Sequence, residues 1–182
     1  DPGQGIDNER DVLIIDGKIA EVSKKITKSM PRDCDTIDAK GMLVTPGLID
    51  MHGHLRDPGN PEEESIKTGT MSAAAGGFTT ILCMANTDPV NDDPSIVKYI
   101  LSKAAEEGLV NVLPVAAITK GLKGTELAEM GLLLEAGAAA FSDDGRPVMN
   151  AEVMRRALEY SRQFKALLIS HCEDTDLSSG GM

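Results

Sequence analysis

The chain has 182 residues, 41% of them apolar, with a net charge of -11 and only 3% aromatic side chains. That apolar share suits a globular chain with an ordinary core and excludes a disordered one. The acidic balance and the scarcity of aromatics exclude the basic footprint and stacking platforms of a nucleic-acid binder, and they argue against docking to anionic membranes.

No apolar run approaches the ~20 residues of a membrane span, and the start lacks a charged-then-apolar leader, so the sequence reads as soluble and cytoplasmic. Asp1 is not an initiator methionine, which implies a processed start or a beginning inside a longer chain. The three cysteines, Cys34, Cys83 and Cys172, are odd in number and widely spread, as expected of reduced thiols.

Residues 1–45 read as a small β module. Asp11 to Ser23 predicts two short strands joined at Asp16-Gly17, a dipeptide suited to a hairpin turn. Asp35 to Asp38 and Gly41 to Thr45 predict further short extended pieces.

From Pro46 to the end the rhythm becomes strand, loop, helix, repeated. An opening strand runs through Leu48-Ile49-Asp50-Met51. Asn60 is expected to cap a helix whose first turn is Pro61-Glu-Glu-Glu64 and which ends near Gly76. Phe78 to Met84 is a β-branched strand, and Asp93-Pro94 opens a second helix with an apolar face at Val97, Ile100, Leu101 and Ala104.

Val110 to Thr119 predicts a third strand, with Pro114 interrupting its ladder. Thr125 is expected to cap a third helix bearing Leu127, Met130 and Leu134 on one face. A fourth strand, Ala138 to Ser142, leads to Asp143-Asp144-Gly145. A helix from Asn150 to Phe164 buries Val153, Ala157 and Leu158, and a fifth strand, Lys165 to Ser170, leads to His171.

Alternating βα units imply an α/β fold with a parallel sheet. No Gly-rich phosphate fingerprint follows any strand, since Gly76-Gly77 precedes one. The chain's three histidines all end apolar runs, and with the aspartate pair they come from the ends of three different strands, as a barrel rim allows; the expected fold is therefore the N-terminal part of a TIM (β/α)8 barrel. Four units are complete by about Lys165, whereas a whole barrel needs about 250 residues, so the chain holds about half of one.

His52 and His54 are two apart, so on a strand they share a face and can grip one metal ion; the plainer alternative is two polar residues at a strand end. With His171 and a carboxylate they make a plausible ligand set for zinc. Asp143 and Asp144 should face opposite ways, and taken alone the Asp-Asp-Gly run reads as turn chemistry. Cys172, beside His171, is expected to pack rather than to bind or react.

The succession Pro46-Gly-Leu-Ile-Asp-Met-His-Gly-His-Leu-Arg-Asp-Pro-Gly59, Met84-Ala-Asn-Thr87, Ser142-Asp-Asp-Gly145 and His171-Cys-Glu-Asp174 resembles the ordered motifs of bacterial dihydroorotases in the cyclic amidohydrolase superfamily. The resemblance implies two zinc ions, with His52 and His54 on one, His171 on the other and Asp144 between them. It implies a shared hydroxide that opens the ring amide in the interconversion of dihydroorotate and N-carbamoyl-L-aspartate, a step of pyrimidine synthesis. Arg56 and Asn86 would hold the substrate carboxylate.

The small-molecule substrate is the implied partner, and the implied assemblies are a homodimer or a complex with a transcarbamoylase. The proton-shuttle aspartate is expected beyond residue 182, leaving this chain incomplete and inactive by itself. Gly53 departs from the family pattern, where a larger residue is more common between the two histidines.

Hydantoinases, dihydropyrimidinases and allantoinases are the nearest rivals, but many of them bridge their metals with a modified lysine on the fourth strand, and residues 138–144 contain none. Arg56, on the ligand-bearing side by alternation, favours a substrate with a carboxylate; a surface pair with Asp57 is its alternative role. A truncated, non-catalytic subunit is the reading from a different class.

Overall fold

The computed structural model describes residues 3–181, so the reading of the start at Asp1 lies outside it. These residues form two compact units divided between Pro46 and Gly47.

In the first unit, β1 (Asp11–Ile15) and β2 (Lys18–Ser23) form the expected antiparallel hairpin. Asp16 and Gly17 both take positive φ, 51° and 70°, the backbone that a two-residue hairpin turn requires. Glu21 gathers the segment that follows: its carboxylate accepts from the Ser23 and Thr27 hydroxyls and the Thr27 and Lys28 amides, which lowers its pKa to about 2. The extended pieces expected at 35–38 and 41–45 do not form strands; a turn closed by Met42 N–H on the Ala39 carbonyl stands there instead.

The second unit is a five-stranded parallel sheet of β3 (Leu48–Gly53), β4 (Phe78–Cys83), β5 (Asn111–Ala116), β6 (Ala140–Phe141) and β7 (Leu167–Leu168). The helices between them are α1 (Ile66–Ala75), α2 (Pro94–Glu107), α3 (Met130–Ala136) and α4 (Ala151–Phe164), with a short α5 (Thr175–Ser178) after β7. The strand order is the sequence order, without the reversal that marks an open doubly wound sheet. This is the winding of a (β/α)8 barrel, carried through its first five strands.

The three larger of four apolar groups hold most of the unit. Leu55, Ile66, Cys83, Ile100 and Val112 pack where α1 and α2 meet the sheet. Ala116, Ile118, Val97, Met130, Leu133, Phe141 and Ala157 pack farther along the same side. Leu82, Met84, Val115 and Ala140, with Ile169 against them, form a separate group. Full burial of each large side chain contributes about 1.5–3 kcal/mol. Burial pushes the Cys83 thiol up to about 11, consistent with an inert packing role.

Several boundaries differ from expectation. Residues 61–63 are turn, because Glu63 and Glu64 give their amides to the Asn60 carbonyl, and α1 starts after Ser65, whose hydroxyl accepts from Thr68 N–H in a capping box. α3 starts at Met130, not after Thr125, since Leu127 pairs with Thr119 in an isolated bridge. β6 and β7 are two residues each, and Leu158 on α4 is half exposed while Ser161 is buried.

Pro114 does not interrupt β5. Its carbonyl accepts from Ala139 N–H, and an extended residue turns its N–H and C=O to the same side, so the missing donor faces the short β6 rather than β4.

Gly53 has a local reason. A Cβ there would lie 2.5 Å from Ile81 Cδ1 and 2.8 Å from Cγ1, so the Ile81 side chain occupies the space a larger residue would need. Gly53→Ala should lower stability by about 1–3 kcal/mol through overpacking, and Ile81→Ala in the same chain should restore part of it. Denaturant unfolding of the two single variants and the double variant checks this; additive losses would remove the coupling.

Candidate metal centre

The site lies at the C-terminal ends of β3, β6 and β7. His52 is on β3, and His54 follows its end; His52 Nε2 is 3.2 Å from Asp144 Oδ1 and His54 Nε2 is 3.5 Å from Oδ2. His171, three residues past β7, brings Nδ1 to 3.3 Å from Asp144 Oδ1. The ligand atoms of His52, His54 and Asp144 all lie within 4.8 Å of one another. The two histidine rings of β3 meet edge to face at 5.1 Å.

The aspartate pair divides as alternation requires. Asp143 is buried and accepts from Ile118 N–H (2.8 Å), Thr119 N–H (3.0 Å) and the Thr119 hydroxyl, all just beyond β5. Burial pushes its carboxyl above the ordinary value, against the downward pull of those three donors. Asp144, with a side chain only 7% exposed, faces the imidazoles.

A carboxylate only accepts, and a neutral imidazole has one N–H and one lone pair. His54 donates Nδ1–H to Asn86 Oδ1 at 2.9 Å, so its Nε2 lone pair is the atom turned towards Asp144. His171 donates Nε2–H to Glu173 Oε2 at 3.0 Å, which leaves its Nδ1 lone pair on the same carboxylate. Imidazole nitrogens facing a carboxylate call for a cation between them, either a proton on the ring or a metal ion. Three imidazole nitrogens around one carboxylate are the donor chemistry of a divalent ion of the zinc kind, so the residues fit such a group.

Asn86 also lines a cleft of about 300 Å³ with Thr87, Val90, Gly121, Leu122, Asp144, Gly145 and Arg146. With Oδ1 engaged by His54, its free hydrogen-bonding group is the amide NH2.

Arg56 stands differently from expectation. β3 ends at Gly53 and Arg56 has φ 53°, so strand alternation no longer governs where its side chain goes. Its Nε is 3.5 Å from Glu63 Oε2 in an exposed pair. Asp57 is buried and accepts from the Tyr99 hydroxyl at 2.8 Å, so it is not the partner of Arg56. Cys172 is exposed rather than packed.

Sequence reasoning missed Glu173, Thr119 and the anchoring role of Asp143. For Glu173 the signal was present: an acid two residues after a candidate ligand, His171. The Thr119 contact joins residues 24 apart and leaves no local pattern.

A family model described as "Dihydro-orotase-like" matches residues 41–182. The chain is 57% identical to a dihydroorotase of Geotalea daltonii and 55% identical to one of Geobacter sulfurreducens, in each case over all of this chain and 42% of the relative. It thus spans about two fifths of the length of the curated relatives it matches. Among solved structures, an L-hydantoinase (dihydropyrimidinase) from Arthrobacter aurescens superposes with a TM-score of 0.77 at 24% identity, over 92% of this chain and 38% of that one.

Asp143→Ala should lower stability by roughly 1.5–3 kcal/mol, the scale of hydrogen bonds to a charged group, and Asp144→Ala by clearly less. Thermal unfolding of both variants without metal checks this; equal losses would show that the two aspartates share one structural task.

Proposed function

The chain belongs to the dihydro-orotase-like family, and from that premise we propose that it forms the metal-binding part of a zinc-dependent dihydroorotase, which interconverts dihydroorotate and N-carbamoyl-L-aspartate in the cytoplasm. The observation that carries this reading is the double use of Asp144. Its Oδ1 is approached by His52 from β3 and by His171 from beyond β7, while its Oδ2 faces His54. With that carboxylate shared among them, His52 and His54 would hold one zinc and His171 another. Bound zinc supplies Lewis acidity, which makes water a nucleophile near neutral pH and polarises an amide carbonyl.

The chain's own residues do the rest. The Asn86 amide NH2, fixed by the bond from His54 to its oxygen, donates to a substrate carboxylate in the adjoining cleft. Arg56 supplies the guanidinium fork for the same carboxylate; its pair with Glu63 is exposed and so contributes no more than about 1 kcal/mol, which a substrate can displace. Neither Asp143, held by Ile118 and Thr119, nor Glu173, held by His171 and Ser178, is free to shuttle a proton to the ring nitrogen. We assign that shuttle to an aspartate beyond residue 182, an accessory role to the β module of residues 1–45, and the site to the barrel portion, 46–182.

The hydantoinase alternative draws on likeness of fold alone, and no lysine stands on β6 or beside it to bridge two metals.

Zinc content after dialysis tests the ligand set: His52→Ala and His171→Ala should each reduce bound zinc, and retention at the parent's level would refute the assignment. In a chain extended to the length of its relatives, Arg56→Met should lower kcat/KM for dihydroorotate by roughly 10- to 150-fold, equivalent to about 1.5–3 kcal/mol, with metal content unchanged. A parent enzyme that prefers hydantoin or dihydrouracil to dihydroorotate would move the reading to the rival activity.

A further inference from the structure

His54 and His171 each have the ring nitrogen away from Asp144 occupied, by chemically different partners and through opposite ring atoms. For His54 the partner is a neutral amide oxygen, and for His171 it is the carboxylate of Glu173. We propose that Glu173 is a positioning residue: by accepting Nε2–H of His171 it fixes one tautomer and presents the Nδ1 lone pair at Asp144. The proposal rests on reading Asp144 and its imidazoles as a metal site, and it goes further by giving a role to a residue outside that ligand set.

The local structure is arranged to hold this carboxylate. Ser178 Oγ donates to Glu173 Oε1 at 2.7 Å, so Oε2 is the oxygen left for His171 at 3.0 Å. Glu173 N–H donates to the His171 carbonyl at 3.0 Å, which ties the two residues through the backbone as well. Ser178 is itself placed by α5, where Asp174 caps the first turn by accepting from Asp176 N–H and Leu177 N–H, and the Asp174 carbonyl accepts from Ser178 N–H. Contacts therefore run from Ser178 through Glu173 and His171 to Asp144.

His171 stands between two carboxylates that can only accept, and Nε2, at 3.0 Å from Glu173 Oε2 against 3.3 Å from Nδ1 to Asp144 Oδ1, is the nitrogen better placed to carry the one proton of the neutral ring. The lone pair then stands on Nδ1, 3.3 Å from Asp144 Oδ1. A hydrogen bond from a ligand imidazole to a carboxylate also raises the basicity of the ligating nitrogen, and its loss typically weakens metal binding 10- to 100-fold. An exposed ion pair with no such task would change binding little.

The test uses a chain extended to the length of its relatives, with zinc alone as the probe. Zinc affinity is measured by competition with a chromophoric chelator, and the tautomer of His171 by two-bond proton–nitrogen correlation in the metal-free protein at mildly alkaline pH. Glu173→Ala should weaken zinc binding about 10- to 100-fold and convert His171 from the Nε2–H form to a mixture. Glu173→Gln, which keeps an acceptor oxygen, should preserve the tautomer and most of the affinity, and Ser178→Ala should produce a smaller loss.

Glu173→Ala with the parent's affinity and tautomer would overturn the proposal. So would a Glu173→Gln variant whose His171 tautomer is as mixed as in Glu173→Ala, since an acceptor oxygen would then not be what fixes the ring. His171→Ala separates the two levels: if it weakens zinc binding while Glu173→Ala does not, only the positioning role falls. If His171→Ala also leaves binding unchanged, the metal-site reading falls and takes the proposal with it.

Discussion

One carboxylate oxygen, Asp144 Oδ1, is approached by imidazoles from the two edges of a five-stranded sheet, His52 from β3 and His171 from beyond β7. Neighbouring strands lie about 4.8 Å apart, so in a flat sheet these edges would be separated by roughly 19 Å. Side chains standing perpendicular to such a sheet could not both reach one atom. The sheet must curl, and the direction of the curl brings the C-terminal strand ends together on the concave side. The site and the barrel winding are thus one geometric requirement: side chains from the first and last strands of this sheet meet at one carboxylate only if the intervening strands bend.

Curvature brings the strand ends together, but it does not choose which side chain of β6 enters. That choice is made by Asp143. Three donors from the residues after β5 converge on its buried carboxylate, binding the end of β6 to the end of β5. Once Asp143 is committed to the β5 side, the next residue must face the other way, and Asp144 meets the imidazoles. The cost of burying a carboxylate is offset in part by the hydrogen bonds it accepts, and the gain is a fixed register at a strand only two residues long. A ladder that short has too few backbone bonds to set register unaided.

Repeated short-range patterns were legible in the sequence, and long-range constraints were not. The hairpin at Asp16-Gly17 could be read because its turn needs two positive φ values, which Asp and Gly tolerate. Asp93-Pro94 and Asn150 could be read as helix starts because capping is a local bond, from the Ser95 amide in one case and the Glu152 amide in the other. The start of α1 was misplaced for the converse reason: Pro61 and three acids make a good first turn by composition, yet Ser65 and Thr68 cap one another and Asn60 is occupied in a turn.

The remaining misreadings share a cause. Alternation of faces is a property of a chain held in a ladder, and it lapses where the ladder stops. It held across Asp143 and Asp144 because Asp143 is clamped to the residues after β5. It failed at Arg56, three residues past the end of β3, where the backbone has turned to φ 53° and the side chain pairs with Glu63. It failed again at Cys172, which follows a two-residue β7 and is exposed where packing was expected. Residues beyond a strand end are also the ones that form the site, so parity is least informative there. At those positions side chains are aimed by specific hydrogen bonds, as Asn86 and Glu173 aim His54 and His171.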